Sequence, residues 1–268
     1  MRIIHISDTH ILGNLRTNLF GINPIQSLKK ALKSINKNYK DADFIVIAGD
    51  LVDVASPEAY EIFHSAVKKS NIPVYPILGN HDNREMFQKF YPELFNEGFV
   101  QYDFVLDNRA FVFLDTLDET KESGILCDVR LAWLNSKLQE HKERDTYLFM
   151  HHHPVACGLH RFDVDADFKT SKEFWGLLSG YNNVKHITFG HIHRDMFAVK
   201  DNISMHSSKS TTFQVALKMS ENSEYLTNQE KPVYMVMDIY KDTLRLHEHD
   251  YLDEKKYYEC ENRWKNRE

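Results

Sequence analysis

Eight residues have types and spacings that could do chemistry together: Asp8 and His10, Asp50, Asn80 with His81, His151, and the pair His191 and His193. Carboxylates, imidazoles and an amide oxygen make up the mixed O/N donor set that borderline divalent metals accept. In Asp8-Thr9-His10 an extended chain would point residues two apart the same way, so both could reach one ion. Gly190-His191-Ile192-His193 offers two imidazoles at that spacing. In Gly79-Asn80-His81-Asp82, the Asn80 amide is a neutral ligand that leaves metal charge available for a substrate anion. His81 should point away from Asn80, free for proton transfer or phosphate contact, with Asp82 orienting a neighbour. His151 opens the tract His151-His152-His153-Pro154 and is its best ligand; His152 and His153 are expected to support the ligands or serve structure more often than to coordinate. Each motif alone is weak, because a loop aspartate usually caps a turn and an isolated His-x-His is often a half-exposed strand.

Their positions raise the odds. Five short apolar runs end at these residues: Arg2–Ser7 at Asp8, Phe44–Ala48 at Asp50, Val74–Leu78 at Asn80, Thr146–Met150 at His151 and His186–Phe189 at His191. Such runs read as buried strands, and ligands in α/β sheets gather at strand carboxyl ends. Helical patterns lie between them. Asn23-Pro24 starts one over Ile25, Leu28, Leu32 and Ile35, and Ser56-Pro57 starts another over Ile62, Phe63 and Val67. Leu131, Leu134 and Leu138 mark a third, and Thr170 to Glu173 has capping-box spacing ahead of Phe174. Asp107-Asn108, Asp201-Asn202 and Lys241-Asp242 separate short runs as hairpin turns would. The order implies a βαβ-rich core with later antiparallel pairs, as two packed sheets with helices outside.

Composition is ordinary for a globular protein: 42% hydrophobic and 27% charged over 268 residues. A formal charge of −6 and the lack of basic tracts argue against extended nucleic acid as partner. No apolar run approaches the ~20 residues needed to span a bilayer, so no membrane is expected. Cys127, Cys157 and Cys260 lack any paired spacing, which suggests free thiols. Arg2-Ile3-Ile4-His5-Ile6-Ser7 enters without an apolar leader. A cytoplasmic location is the resulting expectation.

Taken in order, Asp8-x-His10, Gly49-Asp50, Gly79-Asn80-His81-Asp82, His151 and Gly190-His191-x-His193 resemble the calcineurin-like metallophosphoesterase superfamily. The resemblance leaves the chain after about Gln214 without diagnostic motifs. It implies an α/β fold, a β-sandwich of two mixed sheets flanked by helices, over 1–252, with 253–268 as a charged C-terminal tail. Asp8, His10, Asp50 and His193 would hold one ion, and Asp50, Asn80, His151 and His191 a second, with Asp50 bridging. The ligand set suits Fe and Mn, with Zn or Co also compatible, better than Mg. Within the superfamily, the Gly-Asn-His-Asp, His-His-His-Pro and Gly-His-Ile-His segments resemble bacterial class III cyclic-nucleotide phosphodiesterases, as does Ser210-Thr211-Thr212-Phe213-Gln214. Where many relatives have His-His-Pro-Pro, this chain has His153, a change compatible with the cyclic-AMP branch.

The expected reaction is in-line hydrolysis of 3′,5′-cyclic AMP, or a related small phosphodiester, by a metal-bound hydroxide. His81 would contact the phosphate or protonate the leaving alkoxide. The alternatives are a glycerophosphodiester or broad-specificity phosphoesterase and a non-catalytic phosphate-ligand sensor. Phe20 and Phe213 could pack in the core or at a lid. Oligomeric state is not legible.

Overall fold

Side-chain alternation sets the layers. In Arg2–Ile6 and Phe44–Ala48, Ile3, Phe44, Val46 and Ala48 face one side while Ile4, Ile6, Ile45 and Ile47 face the other, and all are buried. Strands apolar on both faces must be covered on both. A computed structural model of the chain describes residues 1–220 and 225–252; the charged segment 253–268 lies outside them.

Five strands form one mixed sheet in the spatial order Thr243–Asp250, Val233–Tyr240, Arg2–Ile6, Phe44–Ala48, Val74–Ile77. The last three are parallel, and Val233–Tyr240 joins antiparallel to Arg2–Ile6, with Arg2 opposite Asp238. The C-terminal hairpin therefore completes this sheet, and Arg2 Nε reaches Asp238 Oδ1 at 2.8 Å. A second mixed sheet has six strands: Met196–Lys200, Ile203–Ser207, Val184–Phe189, Thr146–Phe149, Arg109–Phe113 and Tyr102–Leu106. Its four central strands are parallel.

Phe44, Val46, Ile77, Phe111, Phe113, Phe149 and Met237 fill the space between the sheets. Outside the first sheet, Pro24–Asn38 buries Ile25, Leu28, Ala31, Leu32 and Ile35, and Pro57–Val67 buries Tyr60 and Phe63. Asn23 Oδ1 accepts from Gln26 N–H at 3.0 Å and Ser56 Oγ from Ala59 N–H at 3.2 Å, as capped helix starts require. Asp128–Glu140 and Ser171–Leu178 cover the second sheet through Trp133, Leu134, Phe174 and Leu178. The two-sheet sandwich flanked by helices matches the expected fold. One local expectation fails: Thr170 does not cap its helix, because its hydroxyl instead accepts from Leu126 N–H at 2.8 Å.

The hairpin turns at Asp107-Asn108 (φ 52° and 58°) and Asp201-Asn202 (φ 51° and 63°) are left-handed at both central residues, as the sequence pairs implied. Among the described residues, no helix is long and apolar enough to cross a membrane.

Candidate functional site

The parallel strands of both sheets deliver their carboxyl ends to one edge of the sandwich, where Asp8, Asp50, Asn80, His151 and His191 are found. The backbone there is not extended. Asp8, His10, Asp50, His191 and His193 all have positive φ, between 43° and 72°. This corrects the extended geometry expected for Asp8-x-His10 and His191-x-His193. The loops after the first two parallel strands run side by side instead: Asp8 N–H donates to the Gly49 carbonyl at 3.2 Å and His10 N–H to that of Asp50 at 2.9 Å. Glycine is obligatory at Gly49 (φ 85°) and Gly79, because a Cβ would strike the His151 ring and the Asp50 carboxylate respectively.

These turns gather two sets of donors. In the first, ligand atoms of Asp8, His10, Asp50 and His193 lie within 4.8 Å of one another. His10 Nε2 faces His193 Nε2 at 3.1 Å and Asp50 Oδ2 at 3.6 Å, while His193 Nε2 lies 3.4 Å from Asp8 Oδ1. In the second, His151 Nε2 lies 3.1 Å from Asn80 Oδ1 and 3.4 Å from Asp50 Oδ1, with the His191 ring 5.0 Å away. His191 and His193 thus serve different groups, and the two oxygens of Asp50 face one each.

The outer contacts fix where protons sit. His193 Nδ1 lies 2.8 Å from the Phe213 carbonyl and His151 Nδ1 2.7 Å from that of Ala48. A carbonyl only accepts, so both Nδ1 atoms carry the hydrogen. His10 Nδ1 lies 3.1 Å from Asp53 Oδ1; burial raises the Asp53 pKa, but His10 holds it below the ordinary carboxylate value. His10, His193 and His151 in neutral form therefore aim bare Nε2 lone pairs at carboxylate and amide oxygens. His191 is the reverse: its Nε2 reaches the Ala166 carbonyl at 2.8 Å, which leaves Nδ1 bare. All the converging atoms are acceptors, so the site is short of positive charge.

The pKa shifts report the same deficit. Burial pushes Asp8 up, but His193 and His151 outweigh it and hold Asp8 at about 2. Burial pulls His151 down, yet Asp50, then Asp8 and the Ala48 carbonyl, raise it to about 9. The residues present therefore fit divalent cations, each histidine being oriented by a carbonyl or carboxylate behind it.

Asp82 and the Ser210–Gln214 segment brace this arrangement. Asp82 accepts from Leu51 N–H at 3.1 Å, Val52 N–H at 3.4 Å, Gly79 N–H at 2.9 Å and Tyr60 O–H at 3.0 Å, tying two ligand loops together. Ser210 Oγ donates to the Asp8 carbonyl at 2.7 Å. The His152 ring lies near His151 and His191, and the three form one group of metal-type donors. The His152 nitrogens are engaged by Thr116 Oγ1 at 2.7 Å and the Glu122 carbonyl at 3.1 Å.

Above the donors is a cleft of about 320 Å³ lined by His81, Phe20, Phe213, Phe162, Tyr225 and Arg161, among others. Phe213 is buried against His193 and His10, and Phe20, 54% exposed, stands edge-on to it at 4.8 Å. Both aromatics belong to the cleft. Asp53, Arg161, Phe162 and Tyr225 stood out in no sequence pattern. Asp53 does stand three residues after Asp50 in a strand-end loop, which is a usable signal; Arg161 and Tyr225 belong to no motif. Arg161 pairs with Glu122 Oε2 at 2.6 Å and lies over the Tyr225 ring.

A family model described as Calcineurin-like phosphoesterase matches residues 1–195. A probable cyclic nucleotide phosphodiesterase of Rhodopseudomonas palustris is 30% identical over 94% of this chain and 93% of its own length. A probable glycerophosphodiester phosphodiesterase of Arcobacter nitrofigilis is also 30% identical, over 87% of this chain and 86% of its own. Among solved structures, a dimetal phosphatase from Danio rerio superposes with a TM-score of 0.71 at 14% identity, covering 94% of this chain and 97% of that one. That last likeness speaks to the fold alone.

Proposed function

This chain belongs to the calcineurin-like phosphoesterase family, and we propose that it is a dinuclear-metal phosphodiesterase opening 3′,5′-cyclic AMP. One observation carries the reading: the two oxygens of Asp50 face imidazole nitrogens of separate groups, His10 Nε2 on one side and His151 Nε2 on the other. Asp8, His10, Asp50 and His193 would hold one ion; Asp50, Asn80, His151 and His191 the other. Iron and manganese suit these donors first, with zinc or cobalt also compatible. Bound there, the ions supply an activated water and neutralise phosphate charge.

The chain's own residues do the rest. The bridging carboxylate fixes the spacing of the two sets. His81, held by its Nδ1 at 2.7 Å from the Asp53 carbonyl, keeps Nε2 for the phosphate or the leaving oxygen. Arg161 lines the cleft paired with Glu122, so the bound ions would be what offsets the diffuse −6 of the whole chain at close range. The flat aromatic faces of Phe20 and Tyr225 favour a nucleobase over a glycerol moiety, since stacking needs a π surface. Among the described residues Cys127 and Cys157 are free, which supports a cytoplasmic role.

The glycerophosphodiester reading is the second one, because relatives named for each substrate stand at equal identity. Metal analysis and turnover on one preparation separate them. The expected result is two metal equivalents that depend on Asp50, with kcat/KM for cyclic AMP above that for cyclic GMP, glycerophosphodiesters and bis-p-nitrophenyl phosphate. Asp50→Ala should lose metal and turnover together. Hydrolysis of the artificial diester alone would overturn the cyclic-nucleotide reading, and full activity without metal would overturn the dinuclear one.

A further inference from the structure

A second convergence of ligand-type atoms lies outside the eight residues of the main site. One nitrogen of His153, the sulfur of Cys157 and one carboxylate oxygen of Asp163 are within 4.8 Å of one another. His153 is only 2% exposed. Its Nδ1 is buried with no hydrogen-bond partner among the described residues, and its Nε2 faces Asp163 Oδ1 at 3.5 Å, longer than a normal hydrogen bond. Asp163 is fixed in place: Cys157 N–H donates to Oδ1 and Gly158 N–H to Oδ2, each at 2.8 Å. Besides these backbone bonds, the His153 ring and the Cys157 thiol are directed at the same carboxylate. His153 Nε2, the nitrogen facing Asp163, makes no normal hydrogen bond there, and a buried polar atom in that state is costly unless another partner uses it.

We propose that His153, Cys157 and Asp163 bind a further divalent ion of the zinc class, separate from the main site. Nitrogen, sulfur and carboxylate oxygen together select zinc over magnesium or calcium. Zinc bonds of about 2.0–2.3 Å in a tetrahedron need the donors, now within 4.8 Å of one another, to close in by no more than about 1.5 Å. Three protein ligands leave one position for water, and a cavity of about 190 Å³ beside His153 and Asp163 gives it room. As the sulfur–metal bond forms, the Cys157 S–H proton leaves to solvent.

Occupancy would also reach the cleft. The His153 ring stacks on that of His191 at 5.6 Å and 14°. Asp163 belongs to the short helix His160–Val164, whose Arg161 and Phe162 line the cleft. An ion joining His153 to Asp163 would pin that wall against the main site.

Cobalt substitution tests this in the full-length protein. The main site has no sulfur donor, so a thiolate-to-cobalt charge-transfer absorption reads only the proposed site, whatever the chemistry of the main one. The wild type should show the band and bind one more equivalent than Cys157→Ser, which should lose both. Cys127→Ser should keep both. Absence of the band in the wild type, or its survival in Cys157→Ser, would overturn the proposal. A second readout needs no variant: zinc should slow alkylation of Cys157 about tenfold or more, since a metal-bound thiolate is shielded. Equal alkylation with and without zinc would equally overturn it.

Discussion

At His81, backbone and side chain have separate tasks. The N–H donates to Asp50 Oδ1 at 3.0 Å, which helps orient the proposed bridge. The ring stands edge-on to His10 at 4.8 Å without joining either donor set. Burial draws its pKa down, but Asp50 and the Asp53 carbonyl outweigh that and raise it above the ordinary value. A protonated imidazole at the cleft suits a donor to phosphate or to a leaving alkoxide. His81→Ala should therefore lower kcat about 10²–10⁴-fold with metal content unchanged; metal lost along with activity would place His81 among the ligands. The adjacent Asn80 and His81 were legible because neighbours at a strand end must diverge. Asp53's place three residues after Asp50 was a signal, but its contact was not legible, because it acts through His10, 43 positions away along the chain.

The elements were legible where a single periodicity governs them. Runs such as Phe44–Ala48 are buried on both faces, and Asp-Asn pairs make left-handed turns. The loops at the strand ends were less legible. Left-handed backbone at Asp8, Asp50 and His191 is disfavoured for residues with a Cβ, by about 1–2 kcal/mol each, and no local pattern announces it. Tertiary bonds impose it, and Asp82 is the chief brace among them, gathering four donors from three segments. In Asp82→Asn an amide group must face N–H donors that now find a carboxylate oxygen. A loss of about 1–3 kcal/mol in stability is expected, with metal affinity about 10–100-fold weaker. Equilibrium denaturation and metal titration would check this; unchanged affinity with lowered stability would confine Asp82 to folding.

Across the whole molecule, the space between the sheets holds a feature that no motif signalled. His5 Nδ1 lies 3.2 Å from His206 Nε2, His206 Nδ1 lies 2.7 Å from His186 Nε2, and His186 Nδ1 lies 2.7 Å from Ser204 Oγ. Nothing in the spacing of His206 points to its partners, which lie on other strands. Burial lowers the pKa of His5 to about 4 and of His186 to about 3, and it lowers His206 as well. Below about pH 6.5 the unfolded chain takes up protons that these folded histidines refuse. Stability is then lost as pH falls, by up to about 1.4 kcal/mol per pH unit for each. His10, His152 and His191, also lowered mainly by burial, act in the same direction. His151 has the opposite sign: raised to about 9, its contribution is full below about pH 6.5 and disappears as pH climbs toward 9. Asp82, raised to about 7 by burial, opposes the acid limb above about pH 4. The six lowered histidines outweigh it, and chelator-treated protein should be most stable near pH 6.5, falling on both sides. His206→Gln keeps hydrogen-bonding capacity without titrating, so it should make the acid limb shallower by about one histidine's share and leave the alkaline limb unchanged. Denaturant unfolding at half-unit pH steps would measure both limbs. An acid limb equally steep in the variant would show that the buried chain does not set the acid stability of this sandwich.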